Sequence, residues 1–184
     1  MNVALYTLWS PILLATVAVF LAGNLVWIVL RYHKSDWHKL PNEDAIRQAL
    51  RGQKPGGYSV PFCADFKERE NPDWQARFEE GPVLNINVFP PRKVASLKPL
   101  AQWMAFCFVI STLVAYIAGT ALAEGTAFGK VFQLTTSVSV LAYSGSNALG
   151  SIWYGHPWSR TAKDILDGLI YGFLTGAIFG WLWP

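Results

Sequence analysis

The three histidines are the side chains of this chain best suited to proton transfer or metal binding near neutral pH. His33 and His38 lie five positions apart, which does not place two imidazoles on one helical face, and no HExxH motif accompanies them. His156 has no second histidine at the i+4 position and no cysteine nearby. We therefore predict that His33 and His38 are polar side chains at the level of the lipid headgroups and that His156 belongs to a connector.

The two cysteines do not form a pattern that holds a metal ion or a disulfide. Cys63 lies in a polar stretch and Cys107 in an apolar one, and the sequence has no CxxC motif. Cys63 would act as a nucleophile only if a histidine approached it in space. Motifs for nucleotide phosphates, dinucleotides, serine hydrolases and haem attachment are also missing. The sequence thus predicts no catalytic residue, no metal and no cofactor, and favours a protein that is not an enzyme.

Three polar side chains inside otherwise apolar stretches form a candidate polar site: Asn24, Asn147 and Asp167. An ionisable group that faces lipid is costly, so Asp167 is expected to turn toward other helices or toward the headgroups. Asp164 and Asp167 are spaced to pair with Arg160 and Lys163 and suit the first turn of a helix, which predicts capping and anchoring. The alternative interpretation is a proton or ion site.

The elements that position these residues follow from a strong segregation of charge. Of 15 Lys+Arg and 12 Asp+Glu in 184 residues, 12 basic and nine acidic residues lie in the range 31–98. Outside this range, four apolar stretches have about the 20 residues that a helix needs to cross a bilayer. They are residues 8–30, 100–123, 128–152 and 164–183.

We therefore predict an all-α membrane protein, a bundle of four transmembrane helices with a small α+β cytoplasmic insert between helices 1 and 2. Its segments are 1–31 for the first transmembrane helix, 32–98 for the insert lobe, and 99–184 for transmembrane helices 2–4. Within the insert, residues 42–52 and 71–81 are predicted to form short helices, and residues 58–62 and 83–89 to form strands.

The basic residues also predict the orientation of the chain. If all four stretches cross the membrane, 14 basic residues (12 in 31–98 plus Arg160 and Lys163) face one side and Lys130 faces the other. The positive-inside rule places the basic side in the cytoplasm, so both termini are expected to be periplasmic. The insert has nearly balanced charge, which excludes a nucleic-acid footprint and leaves the lipid bilayer as its predicted partner.

Small residues at helical spacing predict close contacts between helices. Gly168, Gly172, Gly176 and Gly180 form one groove without side chains in the fourth stretch, and Ala142, Ser146 and Gly150 offer a matching face in the third. The groove is expected to serve either packing within the four-helix bundle or an interface with a second copy or another membrane subunit.

Three segments carry a resemblance to a family of proteins. They are the runs 31–37 (RYHKSDW) and 40–45 (LPNEDA) and the C-terminal run 163–172 (KDILDGLIYG). Through them the chain resembles an uncharacterised family of small four-helix bacterial inner-membrane proteins along its whole length. The resemblance implies a multi-pass location in the bacterial inner (cytoplasmic) membrane and carries no activity.

The first functional hypothesis is a non-enzymatic scaffold or accessory subunit that assembles through its glycine-rich helix, as a homo-oligomer or with other membrane proteins. The second is a small oligomeric transporter or channel lined by the polar side chains of the third stretch: Thr136, Ser139, Tyr143 and Asn147. The third is a membrane-bound metal or redox enzyme centred on His33, His38 or His156.

Overall fold

The computed structural model describes residues 3–94 and 96–184, so residues 1, 2 and 95 of the predicted segments lie outside the described chain. The described part of the chain is mostly helical and contains one small antiparallel sheet of two strands. It divides into two compact units, one of which is Lys39–Ser96. The other contains the chain up to His38 together with Leu97–Pro184. The stretch 32–38, predicted to belong to the insert, is thus part of the helical unit.

The described chain forms seven α-helices and two strands. In chain order they are α1 (Trp9–Asn24), α2 (Glu43–Ala49), β1 (Gly56–Val60), α3 (Pro72–Glu80), β2 (Leu84–Val88), α4 (Lys98–Ala121), α5 (Phe128–Ser144), α6 (Asn147–Tyr154) and α7 (Trp158–Trp181). A 3₁₀ turn, Leu5–Leu8, precedes α1, and a wider π-helical turn, Leu25–Leu30, extends it.

The first helix ends abruptly at Arg31, which adopts a left-handed backbone conformation with φ of 52°. The N–H of Arg31 donates to the carbonyl of Val26 at 2.9 Å, and its Nε donates to the carbonyl of Ile28 at 2.8 Å. A left-handed residue with a Cβ costs about 1–2 kcal/mol, so contacts beyond this turn must hold it in place. The chain then forms the 3₁₀ turn Tyr32–Asp36, which provides part of the site described below.

The third apolar stretch is not one continuous helix. α5 ends at Ser144 and α6 begins at Asn147, and Gly145 and Ser146 form a turn between them. Serine and glycine are weak helix formers because they bond to nearby backbone or gain backbone freedom outside the helix. The run Ser144-Gly145-Ser146 therefore breaks the predicted helix 128–152 into two pieces.

Two helices of the described chain are long and apolar enough to cross a membrane, Leu5–Leu30 and Lys98–Ala121. By length and composition these support two of the four predicted spans. α5 has only 17 residues. α7 has 24 residues but carries Arg160, Lys163, Asp164 and Asp167 among its first ten, which lowers its hydropathy.

The glycines of α7 pack against α5. A Cβ added to Gly172 would lie 2.5 Å from Cγ2 of Val140, and one added to Gly180 would lie 2.7 Å from the ring of Phe128. At Gly168 and Gly176 an added Cβ would overlap α5 side chains, namely Ser144 and Thr136. The two helices therefore approach more closely than side chains on both would allow.

The face of α5 that meets these glycines differs from the predicted one. It contains Phe128, Phe132, Thr136, Val140 and Ser144. Ala142 and Ser146 are exposed instead, and Gly150 lies in α6 beside the imidazole of His156. Ala142 is two positions from Val140 and from Ser144, so it lies on the opposite side of α5. The turn at Gly145 also removes Ser146 and Gly150 from the line of this helix.

An apolar core fills one end of the helical unit. It joins the start of the first helix, the C-terminal half of α4, the start of α5 and the end of α7. Its buried members are Val3, Leu8, Ile12, Ala15, Ile110, Val114, Ala115, Val131 and Phe179. The opposite ends of the same helices are free of this core, and the candidate site lies there.

The second unit confirms the elements predicted within the insert. β1 and β2 pair antiparallel, with Tyr58 opposite Ile86. α3 starts with Pro72, and the Asn71 side chain accepts a hydrogen bond from the N–H of Asp73 at 2.9 Å, so both features of a helix start are present.

Candidate functional site

The imidazole of His33 lies between two carboxylates. Its side chain is 2% exposed, with Nδ1 2.8 Å from Oδ2 of Asp36 and Nε2 3.1 Å from Oδ2 of Asp167. Asp36 belongs to the same 3₁₀ turn, whereas Asp167 lies in the third turn of α7. A neutral imidazole has one N–H, so hydrogen bonds to both acceptors require a second proton within the group of three side chains.

Two further side chains fix these carboxylates. The hydroxyl of Tyr32 donates to Oδ1 of Asp167. Nζ of Lys163 donates to Oδ1 of Asp36 at 2.6 Å, to Oγ of Ser35 at 2.7 Å and to the carbonyl of Tyr32 at 3.1 Å. The 3₁₀ turn is thus joined to α7 at several points, and these contacts hold the left-handed residue before it.

Hydrogen bonds, neighbouring charges and burial shift the pKa values of two members of the network, Asp36 and Tyr32. The hydrogen bond from Lys163 holds the pKa of the Asp36 carboxyl below its ordinary value of 3.8, and the contact with His33 acts in the same direction. Burial raises the pKa of the Tyr32 phenol, and the hydrogen bond to Asp167 adds to this effect. Tyr32 therefore stays protonated as a donor, and Asp36 stays ionised as an acceptor.

Beside this network is a partly open cavity of about 500 Å³. Its walls come from the last turns of the first helix, the start of α4, the end of α5 with the start of α6, and the first half of α7. Five aromatic side chains line it: Trp27, Trp103, Phe106, Tyr143 and Tyr171. Its polar lining comes from two amides and two carboxylates, those of Asn24, Asn147, Asp164 and Asp167.

Trp27 connects the cavity with the network. Its indole stacks on the imidazole of His33 with ring centroids 4.3 Å apart and an interplanar angle of 3°. Trp27 also lines the cavity, so its ring lies between the cavity and the buried histidine contacts. Further in, Tyr143 and Tyr171 meet edge to face at 5.4 Å between centroids. Such contacts hold the aromatic walls in a defined arrangement.

The charged lining of the cavity is acidic. Among the described residues, the charged side chains that line it are Asp164 and Asp167. The basic groups of α7 are directed elsewhere, since Lys163 binds the 3₁₀ turn and the guanidinium of Arg160 lies 5.3 Å from the ring centroid of Trp37. Arg160 Nε is 3.9 Å from Oδ2 of Asp164, longer than a hydrogen bond. Asp164 is therefore the less engaged of the two carboxylates.

The structure places the three members of the predicted polar site together, because Asn24, Asn147 and Asp167 all line the cavity. Nδ2 of Asn24 donates to the carbonyl of Phe20 at 2.7 Å, and Nδ2 of Asn147 donates to the carbonyl of Tyr143 at 3.4 Å. One N–H of each amide is thus used within the helical backbone, and each side chain keeps a second N–H and an acceptor oxygen as polar groups of the lining.

Two details of the predicted role of the α7 acids are wrong. The helix begins at Trp158, so Asp164 and Asp167 lie in its second and third turns and do not cap its start. Lys163 does not pair with Asp167 four residues later but reaches Asp36 in the 3₁₀ turn. The first prediction failed because the helix starts at Trp158, six residues before the predicted start at Asp164.

The other sequence candidates are located away from the cavity lining. His38 is exposed, in contrast to His33, and His156 is half-buried beside Gly150. Cys63 lies in the second unit, where its Sγ donates to the carbonyl of Asp65 at 2.9 Å. Of the predicted channel lining, Tyr143 and Asn147 reach the cavity.

The remaining two channel candidates pack between helices. The hydroxyl of Ser139 is buried and donates to the carbonyl of Thr135 at 2.7 Å, and Thr136 faces Gly176 of α7. Among the described residues, no group of three or more His, Cys, Asp or Glu side chains is arranged to hold a metal ion.

Sequence reasoning missed the role of His33 because it tested this residue against His38. The partners are Asp36, three residues later, and Asp167, 134 residues later. The available signals were the i,i+3 spacing of His33 and Asp36 and the presence of an acid in an apolar helix, which together indicate a contact between these segments.

Comparison with known protein families, with curated proteins and with solved structures finds no match to this chain. The chemistry of the site is therefore the basis on which a function is assigned.

Proposed function

We propose that this chain is a four-helix integral membrane protein that transports a small solute and binds it in the cavity between α1, α4, α5 and α7. In this proposal all four helical segments cross the bilayer, the broken α5–α6 segment included. The 3₁₀ turn Tyr32–Asp36 and the insert are cytoplasmic, and both chain ends are periplasmic. The cavity is then open toward the cytoplasmic half of the membrane.

The observation that carries this proposal is a cavity lined by aromatic and polar groups at one end of helices whose other end is closed. The apolar core around Val131 and Phe179 fills the opposite end. A solute site that is reachable at one end and sealed at the other is what alternating access requires. The helix break at Gly145 and Ser146 supports the same conclusion, because discontinuous helices commonly form solute sites in transporters.

The scaffold hypothesis has less support from the geometry. Its motivation was the groove of Gly168, Gly172, Gly176 and Gly180, and α5 of the same chain occupies that groove. The glycine pattern is thus accounted for by packing within one chain, and a second copy is not needed to explain it.

Access to the cavity from both sides of the membrane tests transport without knowledge of the solute. The test uses Asn147→Cys in a background with Cys63→Ser and Cys107→Ala, labelled by a membrane-impermeant thiol reagent in right-side-out and inside-out vesicles. We expect fast labelling from the cytoplasmic side and slower labelling from the periplasmic side. Labelling from the cytoplasmic side alone would show a blind pocket and overturn transport, and no labelling from either side would overturn the cavity itself.

Two control variants report the sidedness of the vesicles and the proposed topology. Lys34→Cys, exposed in the 3₁₀ turn, should react only from the cytoplasmic side, and Lys130→Cys, near the start of α5, only from the periplasmic side. A reversed pattern would overturn the proposed orientation and leave the access test of Asn147→Cys interpretable.

A further inference from the structure

We infer that the solute taken by this cavity is a monovalent organic cation, held by the carboxylate of Asp164 and by the surrounding aromatic rings. This inference rests on the proposed function, since it names the solute class of the same site. It is drawn from the placement of charge, from the aromatic lining and from the size of the cavity.

The placement of charge sets the sign of the solute. Asp164 and Asp167 line the cavity, and among the described residues Lys, Arg and His side chains do not. Lys163 and Arg160 lie on the same helix and outside the lining: Lys163 binds Asp36, and Arg160 lies over the ring of Trp37 with its Nε 3.9 Å from Asp164. An anionic solute would find carboxylates and aromatic faces without a counter-charge, which is unfavourable in a site of low dielectric constant.

The two carboxylates have different roles. Both oxygens of Asp167 are engaged, Oδ1 by the Tyr32 hydroxyl and Oδ2 by the His33 imidazole. Asp164 is 30% exposed, and its oxygens lie 3.9 Å from Nδ1 of His33 and 3.9 Å from Nε of Arg160, beyond hydrogen-bond distance. Asp164 thus has free acceptor capacity for a solute, whereas Asp167 adds negative charge and is positioned by its neighbours.

The aromatic walls favour a cation with an apolar shell. Trp27, Trp103, Tyr143 and Tyr171 surround the same space as the two carboxylates. The faces of such rings attract a cation, most strongly for tryptophan and for desolvated ammonium groups. An inorganic cation would keep its water and gain little from these rings, so an organic ammonium or amidinium fits the lining better.

The volume agrees with a solute of this kind. A cavity of about 500 Å³ falls in the range of sites that enclose small organic molecules. The amide oxygens of Asn24 and Asn147 supply acceptors for N–H groups of a primary or secondary ammonium ion, so substituted ammonium ions fit as well as quaternary ones.

The inference is tested by direct binding to the full-length protein in detergent micelles, measured by titration calorimetry. The probe is benzyltrimethylammonium, with benzyl alcohol as the neutral control and phenylacetate as the anionic control. We expect the wild-type protein to bind the cation at least roughly tenfold more tightly than either control. Asp164→Asn should weaken cation binding by roughly tenfold or more and leave thermal stability close to that of the wild type.

Glu124→Gln serves as a matched control, because it removes one carboxylate in the turn between α4 and α5 and should leave binding unchanged. Equal binding of the three probes, unchanged binding in Asp164→Asn, or no binding by the wild type would each overturn the cationic solute class. The labelling test of the proposed function and the binding test of the solute class can fail independently. A site that prefers the cation but labels from one side only is a cation-binding site without transport, and labelling from both sides without cation preference leaves transport and removes the solute class.

Discussion

Nε2 of His33 lies 3.1 Å from Oδ2 of Asp167, although 134 residues of sequence separate the two. This contact joins the 3₁₀ turn that follows the first helix to the third turn of α7. The same imidazole contacts Oδ2 of Asp36 through Nδ1 at 2.8 Å, and Nζ of Lys163 donates to the other oxygen of Asp36 at 2.6 Å. Hydrogen bonds and opposite charges of this kind are the condition under which buried charges are tolerated.

Replacing His33 by asparagine should destabilise the fold strongly. The shorter amide cannot reach both carboxylates, and a buried charge that loses its partner costs about 3–5 kcal/mol. We expect a clear fall in the midpoint of thermal unfolding, measured by intrinsic tryptophan fluorescence in detergent. His38→Asn, a change of the same type at an exposed position, should have little effect. Equal midpoints for the two variants would show that the carboxylate contacts of His33 contribute nothing.

The lowered pKa of Asp36 predicts an acid-dependent loss of stability. The folded protein holds this carboxyl ionised beside Lys163, so its pKa is lower than in the unfolded chain. The stabilisation is complete above the ordinary value of 3.8 and is lost as the pH falls through the folded pKa, because the unfolded chain binds the proton first. We expect the free energy of unfolding to fall through this group as the pH is lowered below 3.8.

Lys163→Met isolates the contribution of Asp36 to stability, because it removes the hydrogen bond that contributes most to the lowered pKa of this carboxyl. The variant should be less stable than the wild type at pH 7, and the difference should shrink as the pH falls below 3.8 and the folded wild type takes up a proton on Asp36. Denaturant unfolding at a series of pH values measures this difference. Lys34→Met, which removes an exposed lysine from the same turn, should follow the wild-type curve. A constant difference at every pH would contradict the assignment to Asp36.

The sequence predicted the helical elements well and the site only in part. Apolar stretches and charge segregation predicted the long helices, because hydrophobic length is a local property of the chain. The end of α5 at Ser144 was missed because hydropathy averages over weak helix formers such as Gly145 and Ser146. The contacts of His33 were missed because pairing across 134 residues depends on how α7 packs, which spacing along the chain does not encode.

Within the candidate site, the polar residues were predicted from the sequence and the aromatic residues were not. Asn24, Asn147 and Asp167 were predicted as a group, since each interrupts an apolar stretch at a similar distance from its end. The aromatic residues between them were not selected, because Trp103, Tyr143 and Tyr171 look like ordinary interfacial or packing residues in sequence. Their arrangement around one space follows from the crossing of four helices.

The space around two glycines, Gly176 of α7 and Gly129 of α5, predicts opposite effects of Gly→Ala substitution. Gly176→Ala places a methyl group against Thr136 and 3.1 Å from the carbonyl of Phe132, and overpacking of this kind costs about 1–3 kcal/mol. At Gly129, on α5, an added Cβ has no described atom within 4 Å, so Gly129→Ala should stabilise the helix by about 0.5–1 kcal/mol. Thermal unfolding of both variants measures the two effects.

The variant Thr136→Ala shows whether the clash at Gly176 has the stated cause. Within the described chain, the buried hydroxyl of Thr136 has no hydrogen-bond partner, so its removal alone should cost little. In the double variant with Gly176→Ala, it should restore part of the lost stability, and the remaining loss reflects the contact with Phe132. Additive effects of the two substitutions would contradict direct packing of Gly176 on Thr136.

The stack of Trp27 on His33 predicts an energetic coupling between the cavity wall and the buried network. Parallel rings with centroids 4.3 Å apart gain about 0.5–1.5 kcal/mol beyond the area that they bury. In a double-mutant cycle of Trp27→Leu and His33→Asn, the two losses of stability should therefore fail to add by about this amount. A second cycle with Trp153→Leu, a tryptophan of α6 that is 74% exposed, should be additive with His33→Asn. Additivity in the first cycle would show that the ring contact is not stabilising. Coupling in it would show that the cavity wall at Trp27 and the side chains that fasten the 3₁₀ turn to α7 stabilise each other.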